Sequence, residues 1–405
     1  MPVQTRRRPP SPDPAAPIGG ISAVVPPPPR NGGKRSTGTP GKRPRRKDPL
    51  WARLTVIIGA VLMMTSGTAI AGSKALIDQA TGSIDQRNLL GDAGKSDAEG
   101  GANLDGPIDM LLLGVDARKS WDADDVRADS IIVLHIPATH DQAYLISIPR
   151  DTEARIPAFK KTGYRGSTSK INAAFQAGAQ NGGGWEGGAQ LMAQTIKGMT
   201  GVSFDGAAII NFGGFKKIIE ALGGVRICVK QEVESYHMSY VDGKPMLNAD
   251  AKKTGKQRTP VVHKKGCQEM EGWAALDYSR QRYGLEKGDY DRQQNQQQLI
   301  KAMARKATQN GTLTNPIKLN KLIQAAGKAF ILDTGGVPID DFIYTMKGVS
   351  GNDLTMLRTN GGTFNTRSDG TEGLNQVTLD MFKAVKEDKL GEFVYANPSV
   401  LSTRK

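Results

Sequence analysis

The sequence predicts an α/β fold, and three observations carry that prediction. From Ile108 onward, apolar runs of strand length alternate with segments whose apolar residues recur at helical spacing. Glycine-rich punctuation separates the two kinds of segment. No second linker and no internal repeat interrupts the alternation, so residues 105–400 read as one domain of helices layered on a sheet.

The elements follow in chain order. Residues 108–115 are a continuous apolar run, the mark of a buried strand. Residues 131–136 and 143–148 read as two more strands, joined by the turn-rich Ala-Thr-His-Asp-Gln at 138–142. Helices are predicted over 171–179 and 190–199, the second stopped by Gly201. A strand at 204–212, a helix at 215–222 ended by Gly223 and Gly224, and a strand at 225–229 come next. A long helix starts at Asp289 and runs to about residue 307. Further helices are predicted near 316–330, 338–348 and 375–388.

The N-terminal part is of another kind. The 405 residues carry a net charge of +14, which invites a nucleic-acid partner. Residues 1–53, however, hold 12 Lys and Arg against 2 Asp, and the other 352 hold 42 against 38 acids. The excess belongs to the tail. Residues 1–49 contain 13 of the 22 prolines and cannot bury enough apolar surface to offset chain entropy, so they read as a disordered, basic cytoplasmic tail. No helix-turn-helix pattern fits within them, and no nucleic-acid partner is expected.

Residues 54–72 are 19 positions without a charge. At about 1.5 Å per residue they span a hydrocarbon core of roughly 30 Å. Residues 50–72 are therefore assigned as a transmembrane signal anchor. The Arg-Arg-Lys cluster before it predicts a cell-membrane protein with its N-terminus inside and its C-terminal domain outside. Residues 73–104, rich in Gly, Asp, Ser and Ala, read as an extracytoplasmic linker.

Cys228 and Cys267 are the only cysteines. An even pair in an oxidising compartment favours a disulfide, the alternative being two buried thiols. With four scattered histidines (135, 140, 237 and 263), a zinc site is not expected.

The short turn at 138–142 makes the strands on either side antiparallel neighbours. The start of one and the end of the other then share an edge, with Arg127 and Asp129 on one side and Arg150 and Asp151 on the other. If the 108–115 strand is also antiparallel to its successor, its end brings Asp116 and Arg118 to the same rim. The long helix adds to this. Its apolar stripe of Leu299, Ile300 and Met303 continues N-terminally through Gln296 and Arg292 to Asp289 at the N-cap. Polar side chains that extend a core-facing stripe need partners where the stripe ends. Just before it, Arg280 and Arg282 stand at period 2, on one side of a segment read as extended. Arginines suit bidentate phosphate contacts and carboxylates suit Mg²⁺, so the set has the parts of a phosphoryl-transfer site; a structural ion-pair network is the alternative.

These residues resemble the LytR-CpsA-Psr family of membrane-anchored cell-envelope enzymes. The resemblance covers about residues 107–395. It rests on Leu111-Leu-Leu-Gly-Val-Asp116-Ala-Arg, Arg127-Ala-Asp129-Ser, Ser147-Ile-Pro-Arg150-Asp151-Thr, Lys170-Ile-Asn-Ala-Ala, Tyr278-Ser-Arg280-Gln-Arg282 and Asp289-Tyr-Asp-Arg292-Gln-Gln-Asn-Gln296, in the family's order. It implies a central mixed sheet flanked by helices, with an apolar tunnel for a prenyl chain. It also implies an Mg²⁺-dependent phosphotransferase (Mn²⁺ as substitute), with pyrophosphatase as a side activity. Such an enzyme attaches an anionic glycopolymer from an undecaprenyl-pyrophosphate carrier to peptidoglycan. By motif position, Asp116 and Asp129 look like the metal-side carboxylates. Arg127, Arg150, Arg280, Arg282, Arg292 and Gln296 look like pyrophosphate ligands, and Asp289 orients the arginines or the incoming hydroxyl. Asn295 stands where the family commonly has Arg, and Arg127-Ala-Asp129-Ser keeps its Arg and Asp while its neighbours differ. The competing function is a non-catalytic polyprenyl-pyrophosphate-binding scaffold or regulator of wall assembly.

Overall fold

A computed structural model of the chain describes residues 82, 84–95, 104–115, 126–312, 315–327, 330–339, 341, 345 and 349–402. The predicted tail, the anchor at 50–72, Asp116 and most of the predicted helix at 338–348 lie outside the described residues. Among the described residues, no helix is long and apolar enough to cross a membrane.

The fold begins earlier than the sequence suggests. Strand β1 (Asp85–Gln86) pairs in parallel with a strand more than 240 residues later. Leu89, Leu90 and Ala93 beside it are buried, and the Asp333 carboxylate accepts from the backbone N–H groups of Leu89 (2.7 Å) and Leu90 (3.2 Å). The linker reading of 73–104 is therefore corrected at 85–93. Three buried apolar side chains outweigh a polar average.

Strands β2 (Ile108–Val115), β3 (Ala128–Ile136) and β4 (Ala143–Ile148) form the predicted antiparallel meander. Hairpin β5 (Glu153–Ile156) and β6 (Ser167–Lys170) follows. Helices α1 (Asn172–Ala179) and α2 (Gly184–Thr200) pack so closely that a Cβ on Gly178 or Gly187 would collide with the other's carbonyl oxygen. These glycines serve a close helix contact and not a turn, which is why α2 starts six residues before the expected 190. Strand β7 (Gly206–Asn211) leads into α3 (Phe212–Ala221), capped by the Asn211 side chain accepting from Gly214 N–H.

Strand β8 (Val225–Val229) precedes a three-stranded antiparallel sheet of β9 (Val233–Val241), β10 (Lys244–Leu247) and β11 (Thr259–His263), with the short α4 (Asn248–Lys253) inserted. Strand β12 (Gly266–Met270) returns to pair with β8. Then come α5 (Gly272–Arg280), α6 (Asp289–Gln309), α7 (Pro316–Ala326), β13 (Phe330–Asp333), β14 (Leu354–Arg358), α8 (Gln376–Lys386) and α9 (Leu390–Ala396).

The main sheet has seven strands in the order β1-β13-β7-β2-β3-β4-β14. Parallel pairs (β1 with β13, β2 with β7, β4 with β14) and antiparallel pairs both occur, so the sheet is mixed. Side chains alternate across it. Leu111, Leu113, Val133 and Ile146 join one core with Phe175, Trp185, Met192 and Phe382 of the helices on that face. Met110, Ile132 and Leu145 join the other, where Ile300 and Ala304 of α6 pack. The α/β fold with a central mixed sheet flanked by helices is thus as expected.

Cys228 and Cys267 face each other on β8 and β12 and are disulfide-bonded. Two strands alone make a marginal ladder, so the bond clamps what pairing holds weakly. Replacing both cysteines by serine should cost about 3–4 kcal/mol on the chain-entropy argument for a loop of this length. Urea unfolding of that variant with an unchanged midpoint would show that the bond carries no stability.

Candidate active site

The meander register brings the end of β2 against the start of β3, with Val115 opposite Ala128, and the end of β4 against β3, with Ile131 opposite Ile148. Asp129, near the start of β3, and Arg150, just past β4, therefore meet. Arg150 Nη1 lies 2.6 Å from Asp129 Oδ1. Helix α6 points its N-terminus at the same rim. Arg292 Nη2 lies 2.8 Å from Asp289 Oδ1 and donates to the Asp129 carbonyl at 2.9 Å. Asp289 Oδ1 is also 3.9 Å from Arg150 Nε, so one carboxylate serves both guanidiniums. Gln293 Nε2 donates to its other oxygen at 2.9 Å.

Burial decides the electrostatics. The Arg292 side chain is 7% exposed. Burial pulls its pKa below the usual value, with Asp289 opposing and the nearby charge of Arg150 adding to the fall. Burial also opposes charge on Arg150, but Asp129, by charge and hydrogen bond, and then Asp289 and Asp151 more than offset it, and that pKa is raised. Both Nε–H groups, of Arg150 and of Arg292, are buried without a hydrogen-bond partner among the described residues. Unmet cationic donors beside a helix N-terminus are what an anion needs.

The outer predicted residues are placed differently. Arg127 donates from Nε to Gln176 Oε1 at 2.9 Å. Lys170 of β6 pairs with Asp151 at 3.1 Å, which ties the β5–β6 hairpin to the rim. The extended reading of the two-arginine segment is corrected. Arg280 is the last residue of α5, 4.2 Å over the Phe212 ring, and only beyond it does the chain extend. Arg282 lies 4.6 Å over Tyr283 and donates to its hydroxyl. It is near enough for its charge to lower the Arg292 pKa further. Gln296 is half-buried, while Gln293, Asn295 and Gln297 are buried.

Sequence reasoning missed Gln293 and Gln297. Gln293 could have been found from its i,i+4 relation to Asp289. Gln297 Nε2 donates to Leu145 O, Ser147 Oγ and Leu357 O at 3.1, 2.9 and 2.7 Å, and so seats α6 on β4 and β14. Asn295 keeps its Nδ2 unpartnered among the described residues. Among those residues, no three acidic, His or Cys side chains group as a metal site, and Asp129 is the one predicted metal-side carboxylate described. A cavity of about 790 Å³ lies between the β5–β6 hairpin and α2. Arg155 and Arg165 line it beside Ile156 and Met199, a mixed wall and not an apolar tube.

Asp289→Ala should strand Arg292 in a buried position with only the Asp129 carbonyl for partner among the described residues. A loss of about 3–5 kcal/mol is expected, the size seen when one member of a buried pair is removed. A urea midpoint equal to the parent's would contradict it.

The chain matches the LytR_cpsA_psr family over residues 73–389. The probable cell wall biosynthesis protein LcpB of Corynebacterium glutamicum is 31% identical over 237 residues, 56% of this chain. That match spans 48% of LcpB, about half its length. The Bacillus subtilis polyisoprenyl-teichoic acid–peptidoglycan teichoic acid transferase TagU is 26% identical over 289 residues, 70% of this chain and 78% of TagU. The crystal structure of protein gbs0355 from Streptococcus agalactiae superposes with a TM-score of 0.56 at 22% identity, covering 73% of this chain and 91% of that one, a likeness of fold. The family match covers well over half the sequence, and the chain belongs to the LytR_cpsA_psr family.

Proposed function

We propose that this protein is a phosphotransferase that attaches an anionic glycopolymer, carried on undecaprenyl pyrophosphate, to peptidoglycan. One observation carries the reading: the half-buried guanidinium of Arg150 and the buried one of Arg292 share Asp289 and keep their buried Nε donors unmet among the described residues. A pyrophosphate supplies acceptors for both. Arg127, Arg280, Arg282 and Gln296 are the outer ligands of the same group. TagU, a relative by sequence, is named as a transferase from a polyisoprenyl carrier to peptidoglycan, which supports the same chemistry here.

In this reading the arginines hold the two phosphates in line with an incoming muramic acid hydroxyl. The hydroxyl oxygen bonds to the sugar-linked phosphorus, the bridging P–O bond breaks, prenyl phosphate departs with the bond's electron pair, and the hydroxyl proton passes to solvent. Water in place of the hydroxyl gives the pyrophosphatase side reaction. Fixed cations stabilise charge that develops on the phosphoryl oxygens, the main term in such reactions. Mg²⁺, or Mn²⁺ in its place, would be held by Asp129 and Asp116 and would supply further charge neutralisation. Arg150 bonds only Oδ1 of Asp129, and Mg²⁺ needs no more than one or two carboxylates beside phosphate and water oxygens. The segment 50–72 anchors the enzyme in the cell membrane, with the basic tail inside and the domain outside.

In an assay with carrier-linked polymer and peptidoglycan, Arg150→Ala should lower turnover roughly 10²–10³-fold. EDTA should abolish turnover, and Mg²⁺ or Mn²⁺ should restore it. An Asp129→Ala variant that binds the carrier lipid and still restores wall-polymer attachment in cells would favour the scaffold reading instead. Protease added to intact spheroplasts should remove a C-terminal epitope and spare an N-terminal one; the opposite pattern would reverse the topology.

A further inference from the structure

Beside the arginine rim stands a group of exposed aromatic rings that the transfer chemistry does not use. Tyr236 on β9 is 62% exposed and Tyr283, just past α5, is 51% exposed. Their ring centroids are 4.7 Å apart, and Arg282 lies over the second ring. A third exposed ring, Phe364, packs edge-on against buried Tyr290 and lies next to Gly288, at the other end of the short segment from Arg282 to Asp289. Contiguous exposed apolar surface is a feature of binding sites, and two of these rings are in mutual contact.

The cluster is also held rigidly. Tyr236 N–H donates to Gln281 Oε1 at 3.0 Å, and its carbonyl accepts from Asn248 Nδ2 at 2.9 Å. Gln281 is anchored in turn to buried Asp277, which accepts from Ser235 at 2.9 Å and pairs with His263 at 2.7 Å. A satisfied buried network fixes geometry more than it adds stability. Here it fixes two tyrosines beside an arginine on the path to Asp289.

We infer that Tyr236 and Tyr283, with Arg282, form a subsite for a pyranose ring of the acceptor glycan strand, an inference that rests on the transfer reading. A pyranose has a face of C–H bonds and an edge of hydroxyls. The C–H face packs on the electron-rich face of the exposed Tyr236 ring, while Arg282 meets the edge. Glu234 shares the exposed face of β9 with Tyr236 and offsets the charge of Arg282, so these groups offer an uncharged sugar face a partner and give a polyanionic donor chain or an anionic membrane no net charge to seek.

The test uses the full chain in detergent. Its probe is soluble, uncrosslinked strands of alternating N-acetylglucosamine and N-acetylmuramic acid without carrier lipid, titrated calorimetrically. Tyr236→Ala with Tyr283→Ala should weaken strand binding about tenfold, the sum of two modest ring contacts. Tyr236→Phe should bind nearly as the parent, and geranyl pyrophosphate should bind the parent and Tyr236→Ala alike. Tyr236→Ala alone, at the most exposed ring, reports the same loss in part should the double variant fold poorly. Unchanged strand affinity in the alanine variants, or no strand binding by the parent, overturns the inference. So does a loss confined to carrier-linked polymer, which would assign the rings to the donor. Strand binding is read without turnover, so a failure of the transfer reading is seen separately in the Arg150 variant.

Discussion

A guanidinium taken out of water must bring its counter-charge with it, and Arg292 does so by bridging two elements far apart in sequence. Its Nη2 holds Asp289 on its own helix and the carbonyl of Asp129 on β3, 163 residues away. Breaking either contact leaves a buried charge short of partners, a cost of several kcal/mol. Helix α6 is therefore docked on the sheet at a set depth and rotation, and everything that converges on the rim inherits that setting. Asp289 reaches Arg150 only because Arg292 is pinned, and Arg150 reaches Asp129 only because the meander is in register.

The network looks self-sufficient in charge and is not so in hydrogen bonds. Three carboxylates surround Arg150, yet its Nε and that of Arg292 find no acceptor among the described residues. A purely structural ion-pair cluster would close those contacts, since each unmet buried donor costs free energy. Asp289 Oδ1 and Gln293 Oε1 are likewise buried without a hydrogen-bond partner among the described residues, so the rim holds unmet donors and unmet acceptors side by side.

Much of this was legible in the sequence because the relevant signals are periodic. The meander follows from three apolar runs and one short turn, and it alone predicts that Asp129 and Arg150 meet. Helix α6 follows from its stripe, and the stripe's polar extension points to Arg292 and Asp289. What escaped was carried by polar or ambiguous segments. Strands β6 and β9 are built from Ser, Thr, Tyr and His as much as from apolar residues, so period 2 leaves no clean hydrophobic alternation. Arg280 and Arg282 were read at strand spacing because nothing local marks α5, which starts at a glycine and ends between the two arginines. Gln297 gave no sign of its role, since a glutamine seated on three distant groups is indistinguishable in sequence from its surface neighbours.

That glutamine has one more partner. Its Oε1 accepts from Ser402 Oγ at 2.9 Å, while Ser402 N–H donates to Met356 O and its carbonyl accepts from Gln294. The mount of α6 is thus finished by a residue 105 positions further along the chain. A polypeptide that emerges from its N-terminal end presents α6 long before Ser402 exists. The rim passes through a stage in which its strands and helix are present and its last fastening is not. Assembly of the rim is a late event in the protein's own biogenesis, timed by the order in which the chain is made.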